Sequence, residues 1–306
     1  MNSRRTLKKA SSYQDGFKEN LPCYIMIAPF ILLFILFLII PIAASVVLSL
    51  FDFDMVSAPR FIGFTNYFRM FFDDEVFVTI VKNTLVLALI TGPVGFALSF
   101  VLAWFLNEFK PFMRTLLSFM FYCPALVGNA YFIWQVAFSS DSYGYMNSLL
   151  LSAGFITEPI NWLKDAAYVT PIIIVVQLWM SMGVGFLANI SGLQNVNAEM
   201  YEAGAIDGIR NRWQELWYIT LPSMQHILLF SAVMQIASSF SISQLPIALA
   251  GYPSVSNSVD TVVSYLADAG TVRYEMGYAS AISVFLFALM MLTRAAVAKL
   301  INRVGR

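Results

Sequence analysis

Long runs without Asp, Glu, Lys or Arg constrain this chain more than any other feature. A helix needs ~20 apolar residues to cross the hydrocarbon core of a bilayer. Six charge-free runs meet or approach that length: residues 20–51, 83–107, 115–140, 166–198, 216–259 and 276–293. The last is the shortest, at 18 residues. Only 216–259 is long enough for two crossings, and its polar, turn-rich end GYPSVSNSV limits it to one. The runs predict an all-α membrane protein with six spans at about 24–50, 84–106, 115–138, 168–190, 226–250 and 277–298. Composition agrees: 12% of the residues are charged, against ~25% in soluble proteins, too few to build a water-facing surface.

Topology follows from where the charges lie. With six crossings and the N-terminus inside, the inner segments hold Arg4, Arg5, Lys8, Lys9, Lys18, Lys110, Arg114, Arg210, Arg212, Arg294, Lys299, Arg303 and Arg306, which is 13 of 18 basic residues. Lys and Arg are retained on the cytoplasmic side. Residues 1–20 are therefore expected to be a cytoplasmic segment and 21–306 a membrane domain, with both termini cytoplasmic. Five or seven spans would put the C-terminal cluster outside and erase the bias. The basic start resembles a secretory signal, but the apolar stretch is too long and has no small-residue cleavage site, so it reads as a retained first span.

Few residues suggest chemistry. Basic and acidic totals balance at 18 each, and no nucleic acid is expected as a partner. Cys23 and Cys123 lie in or beside apolar runs and read as small core side chains. The only histidine, His226, has no H-E-x-x-H pattern and reads as a boundary residue. No catalytic group, metal or cofactor is expected in this chain. Residues 61–72 (FIGFTNYFRMFF) suit a short interfacial helix or a loop equally well, and Trp162 suits a membrane-interface anchor.

Two constellations remain. Polar groups at membrane depth are costly and usually turn inward. The third span supplies Asn129 and Trp134, the fourth Gln177, Trp179 and Ser181, and the fifth Gln235, Ser238, Ser239 and Ser241. They suit a solute path or, residue by residue, hydrogen bonding between helices. The second constellation is residues 198–222, where Glu199, Glu202, Asp207, Arg210, Arg212 and Glu215 interrupt the apolar pattern. A helix over 198–206, with Tyr201, Ala205 and Ile206 on its apolar side, a corner at Gly208 and a second helix carrying Trp213, Leu216 and Trp217 are expected. Such a unit fits an interfacial helix pair or a knob for a partner's groove.

The sequence EAGAIDG, followed by WQELWYITLP, resembles the EAA loop of binding-protein-dependent ABC importers. Glu202, Ala203, Asp207, Gly208, Trp213, Gln214, Ile219, Thr220, Leu221 and Pro222 match its pattern. Gly204 and Ile209 stand where that family commonly has Ala. FIGFTNY (61–67), YGYMNSLL (143–150) and GYASAIS (277–283) resemble segments of sugar-type permeases of the maltose or glycerol-3-phosphate branch, and of the first of their two permease partners. The G-G-P usual after the fifth span is replaced by Ala250, Gly251, Tyr252 and Pro253.

The resemblance implies a type I importer permease fold and an EAA loop at 198–222. It also implies partnership with a second permease subunit, two ATP-binding subunits that hold ATP and Mg, and an extracytoplasmic solute-binding protein, all assembled in the bacterial cell membrane. Glu202, Ala203, Gly204, Asp207 and Gly208 would then couple to the ATPases. Trp179, Ser181, Ser238, Ser239 and Ser241 fall where sugar-type relatives contact solute. No G-x-x-x-x-G-K-[ST] phosphate loop is present, so the nucleotide chemistry belongs to the partners. A secondary transporter would call for intramembrane ionisable groups, and an intramembrane enzyme for a nucleophile and base. The charge-free spans offer neither.

Overall fold

Hydrocarbon leaves no unpaired peptide group satisfied, so apolar spans fold as helices. The computed structural model describes residues 20–301. In chain order, α1 (Leu21–Leu48) is followed by a hairpin of β1 (Phe51–Asp52) and β2 (Arg60–Phe61), and by the short α2 (Thr65–Phe68). The strands are antiparallel, with Phe51 opposite Phe61. Next come α3 (Glu75–Asn107), α4 (Pro111–Val127), α5 (Phe132–Ala137) and α6 (Tyr145–Ser152). Then α7 (Ala166–Met180) and α8 (Val184–Gln194) lead to α9 (Ala198–Ile206) and α10 (Arg212–Glu215), whose helical path runs on through residues 216–223. The chain closes with α11 (Gln225–Phe240), α12 (Gln244–Ala250), α13 (Val262–Ala267) and α14 (Met276–Ile301).

Among the described residues four helical stretches are long and apolar enough to cross a membrane: α1, α3, α11 with α12, and α14. The pair α7 and α8 makes a fifth if the two, bent by 41° at residues 181–183, form one span. The third expected span is corrected. It is not one helix over 115–138: α4 has 17 residues, about 25 Å at 1.5 Å per residue, short of the ~30 Å core. It stops at Gly128, whose φ is +70°, and α5 resumes at Phe132.

The long α3 is the central post, with α8 and α11 packed along it and on each other; α14 packs on α11 and on the second half of α1. Apolar burial gives little drive between helices in lipid, so close approach of small residues matters more. A methyl at Gly92 would stand 3.3 Å from Ser239 Oγ, and one at Gly95 would overlap the Gln235 amide. Gln235 in turn donates from Nε2 to the Thr91 carbonyl at 3.2 Å.

The two ends are held differently. At the end bearing residues 198–222, Phe100, Leu106, Phe186, Leu193, Leu216 and Leu228 form a core. At the far end Asp74 caps α3 by accepting the Phe77 N–H at 2.9 Å, and it also accepts the hydroxyls of Tyr265 and Tyr278. Burial alone would raise the Asp74 pKa, but these hydrogen bonds and nearby Arg273 outweigh it and hold the carboxyl below its ordinary value. Arg69 donates to both Glu275 carboxylate oxygens, at 3.0 and 3.1 Å.

Residues 65–72 form the short helical segment the sequence allowed, while 61–64 are extended and turning. Together they span β2, α2 and the wide turn Arg69–Asp73. Asn66 is buried there and donates to the carbonyls of Ser49 and Phe51 at 2.9 and 3.0 Å. Trp162 is half-buried and donates to Asn147 at 2.8 Å, which ties down the loop it stands on. Cys23 is exposed on α1 and Cys123 half-buried, so neither is a core side chain. His226 is exposed in the first turn of α11. Of the basic clusters, Arg4, Arg5, Lys8, Lys9 and Lys18, with Arg303 and Arg306, lie outside the described residues.

Candidate functional site

The loop at 198–222 is built by caps and one glycine. Asn197 opens α9 by accepting the Glu199 N–H at 3.1 Å. At its other end the N–H of Ile209 reaches the Gly204 carbonyl at 2.9 Å and that of Gly208 reaches the Ala205 carbonyl at 3.4 Å. This is the paired closure that ends helices on a left-handed residue, and Gly208 has φ +96°. Asn211 starts α10 by accepting the Gln214 N–H at 2.8 Å, and the Gln214 side chain accepts the Arg210 N–H at 2.9 Å.

Which face of α9 meets the bundle differs from the amphipathic expectation. Tyr201 and Gly204 face inward: the Tyr201 hydroxyl lies 2.9 Å from Thr220 Oγ1, and Gly204 is buried. Ile206 points out, 88% exposed, beside exposed Glu202, Ala203, Asp207 and Gly208. On α10 and its continuation Leu216 and Ile219 are buried, while Trp213 and Trp217 are exposed, with Trp213 against Trp104 at 5.3 Å between centroids. Arg212 pairs with Glu108 at 2.8 Å and Glu215 at 2.9 Å, tying the loop to the end of α3. The result is an apolar tip with a carboxylate rim, packed on a helical segment that leads, across one break at Met224, into α11.

Farther along α11 is a cavity of about 300 Å³. It gathers four of the polar candidates: Gln177, Ser181, Gln235 and Ser238. Gly183, Val184 and Gly185 also line it, so the first turn of α8 opens on the cavity. The first N–H groups of a helix have no partner within it, so the turn lining the cavity at Val184 and Gly185 is the part of α8 whose backbone is free to bond there. Sequence reasoning missed this backbone contribution, although the small residues of SMGVG (181–185) were its signal.

The remaining candidates lie elsewhere. Ser239 is buried against Gly92 and donates to the Ile236 carbonyl at 3.0 Å, a packing contact between α11 and α3. Ser241 is exposed just past α11. Asn129 is exposed at the break after α4, accepting the Tyr131 hydroxyl at 2.9 Å. Trp134 and Trp179 meet edge to face at 5.6 Å, and Trp179 lines a separate apolar groove with Leu98, Phe121 and Met182. Among the described residues no group of His, Cys, Asp and Glu is placed to hold a metal ion.

Residues 93–306 match the family described as binding-protein-dependent transport system inner membrane component. The chain is 31% identical over 289 residues to the probable ABC transporter permease protein YesP of Bacillus subtilis, covering 92% of this chain and 90% of that protein. It is 30% identical over 287 residues to the arabinooligosaccharides transport system permease protein AraP of the same organism, with the same coverage. The lactose transport system permease protein LacF of Rhizobium radiobacter is 30% identical over 69% of this chain and 70% of its own length. In fold, the chain is similar to a chain in the crystal structure of a bacterial ABC transporter involved in import of the acidic polysaccharide alginate. That superposition has a TM-score of 0.77 and 22% identity, covering 96% of this chain and 100% of that one. The chain belongs to the inner membrane components of binding-protein-dependent transport systems, and is a multi-pass membrane permease subunit.

Proposed function

We propose that this permease subunit imports a sugar or oligosaccharide, driven by two ATP-binding partner subunits that carry the ATP and Mg. A second permease subunit would complete the path, and an extracytoplasmic solute-binding protein would deliver the solute. The observation that carries this reading is that α9, which bears the tip at Ile206, is bonded through Tyr201 to Thr220 on the helical segment 212–223, and that segment leads across the single break at Met224 into the α11 helix lining the polar cavity. A tip displaced by a partner moves that helix, which is how closure of two ATPases would alternate access in the membrane.

In this reading residues 198–222 are cytoplasmic, as are both termini, and the far end with Asp74 and Glu275 is extracytoplasmic. Glu202 and Asp207 set the register against the ATPase, Ala203 and Ile206 supply the apolar contact, and Gly204 and Gly208 shape the helix and its corner. This chain hydrolyses nothing and carries no phosphate loop.

Gln177, Ser181, Gln235 and Ser238 offer amide and hydroxyl groups suited to sugar hydroxyls, while the Trp134 and Trp179 pair, with Trp179 in a separate groove, suits C–H faces. The cavity is at the lower limit of small-ligand pockets, which fits a half-site that a second subunit completes. The transport names borne by AraP and LacF support the sugar class.

Affinity purification of the tagged chain from its own membranes tests the proposal. A second permease and two ATPases should copurify, and the complex should show solute-stimulated ATPase and uptake in vesicles. Recovery of a lone, transport-competent homo-oligomer would overturn it.

A further inference from the structure

The two positions where the loop departs from the commonest pattern of its family, Gly204 and Ile209, lie side by side, the Ile209 N–H bonded to the Gly204 carbonyl at 2.9 Å. Gly204 is the buried position of α9. A methyl placed on it would stand 2.6 Å from Ile219 Cδ1 and 3.1 Å from Ile209 Cδ1. The first distance is too close for carbon atoms, and the second is tight. Ile219 is itself 6% exposed and lies on the helical path from α10 into α11. One residue along, Thr220 meets Tyr201 through their hydroxyls. The missing methyl of Gly204 therefore leaves the hollow into which Ile219 and Ile209 insert.

We propose that Gly204, Ile209 and Ile219 form a socket that fixes α9 against the helical segment leading to α11. Gly204 and Ile219 are then positioning residues for transport. The proposal rests on the importer reading given above. Its physical content is that movement of the exposed tip reaches α11 without slip only while the socket is filled to the right volume. Ile219 Cδ1 and Ile209 Cδ1 are the far ends of flexible side chains, so a methyl at Gly204 is accommodated by displacing these side chains from the hollow and not by unfolding. An overfilled socket and an underfilled one both loosen the lever, and one defect compensates the other.

The test is a double-mutant cycle on the whole complex in proteoliposomes, reading solute taken up per ATP hydrolysed. Gly204→Ala is expected to lower that ratio about fivefold, the low end of what an inserted methyl in a packed site produces. Ile219→Val, which removes Cδ1, is expected to lower it about twofold, as for a small buried deletion. The combination is expected to return within about twofold of the unmodified complex, because contacting residues are not additive. If Gly204→Ala proves too poorly assembled to assay, complex yield is read instead: its recovery on adding Ile219→Val supports the socket, and no recovery overturns it. Additive losses in an active complex, or a Gly204→Ala ratio equal to the unmodified one, would overturn the socket and leave the importer reading standing. An unmodified complex with no solute-stimulated ATPase would overturn both.

Discussion

Gly208 offers a perturbation whose cost separates cleanly into backbone and contact parts. A Cβ at this position meets nothing within 4 Å, yet the backbone has φ +96°. Sterics with neighbours are thus absent, and Gly208→Ala pays only for a left-handed conformation, roughly 1–2 kcal/mol. That corresponds to a fall of about 5–30-fold in the ordered population of the turn. Gly208→Asn, a residue that adopts this conformation more readily, should cost less. Gly208→Pro should cost most, since proline fixes φ near about −65° and removes the N–H now bonded to the Ala205 carbonyl. Hydrogen exchange over residues 198–222 should quicken in the order Gly, Asn, Ala, Pro. Solute-stimulated ATPase in proteoliposomes should fall in the same order while membrane insertion stays intact. A Gly208→Pro complex that couples ATP to uptake as the unmodified one does would refute the reasoning, as would an Asn variant worse than Ala.

Three further outcomes are expected. Asn147→Ala removes a buried side chain that bonds the Ser139, Asp141 and Ile160 carbonyls and accepts from Ile160 N–H and Trp162 Nε1. Each donor left unpaired costs ~1–3 kcal/mol, so limited proteolysis should cut residues 139–165 first, and an unchanged cleavage pattern would contradict this. Because the folded pKa of Asp74 is held below its ordinary 3.8, its stabilisation is present above that value and lost as pH falls through the lower folded value. Melting temperatures of the wild type and Asp74→Asn should therefore converge only below pH ~4, and convergence between about pH 7 and 5 would rule the account out. Burial raises the pKa of Asp260 against the opposing bonds from Ser254, so its ionisation costs stability as pH rises through the folded value. Asp260→Asn, which still accepts the Ser254 N–H, should melt at or above the wild type at about pH 7, with the advantage shrinking towards about pH 4; a drop at neutral pH would contradict it.

The spans were legible because hydrocarbon excludes charge, and a run free of charge is visible one residue at a time. Their breaks were not. The bend at 181–183 and the stop at Gly128 are closed by short local bonds, Gly183 N–H to the Ser181 carbonyl and Asn129 N–H to the Val127 carbonyl, and average polarity carries no trace of them. The loop at 198–222 was legible in its helix over 198–206, its corner at Gly208 and its second helix, but the capping by Asn197 and Asn211 emerges only from the structure. Its orientation was not: apolar Ile206 reads as a core residue, while buried Gly204, which carries no side chain, gives no apolar signal at all.

The same limit shaped the candidate path. Polarity at depth identified Gln177, Ser181, Gln235 and Ser238, which share one cavity. It equally flagged Ser239, the neighbour of Ser238, which a helix turn of about 100° per residue sends against Gly92 instead. Direction is set by which helix packs where, and α3 sets it here. Asn66 and Asn147 were visible as parts of longer resembling segments, but their work as buried links between distant carbonyls emerges only in three dimensions.

The central claim is that the tip at Ile206 is the point where an ATPase moves this chain. Ile206→Cys, in a chain with Cys23 and Cys123 replaced by serine, should be crosslinked to an ATP-binding subunit in native membranes, with a yield that changes when ATP is added. No crosslink to any ATP-binding subunit, in membranes where uptake of the solute remains active, would contradict the account.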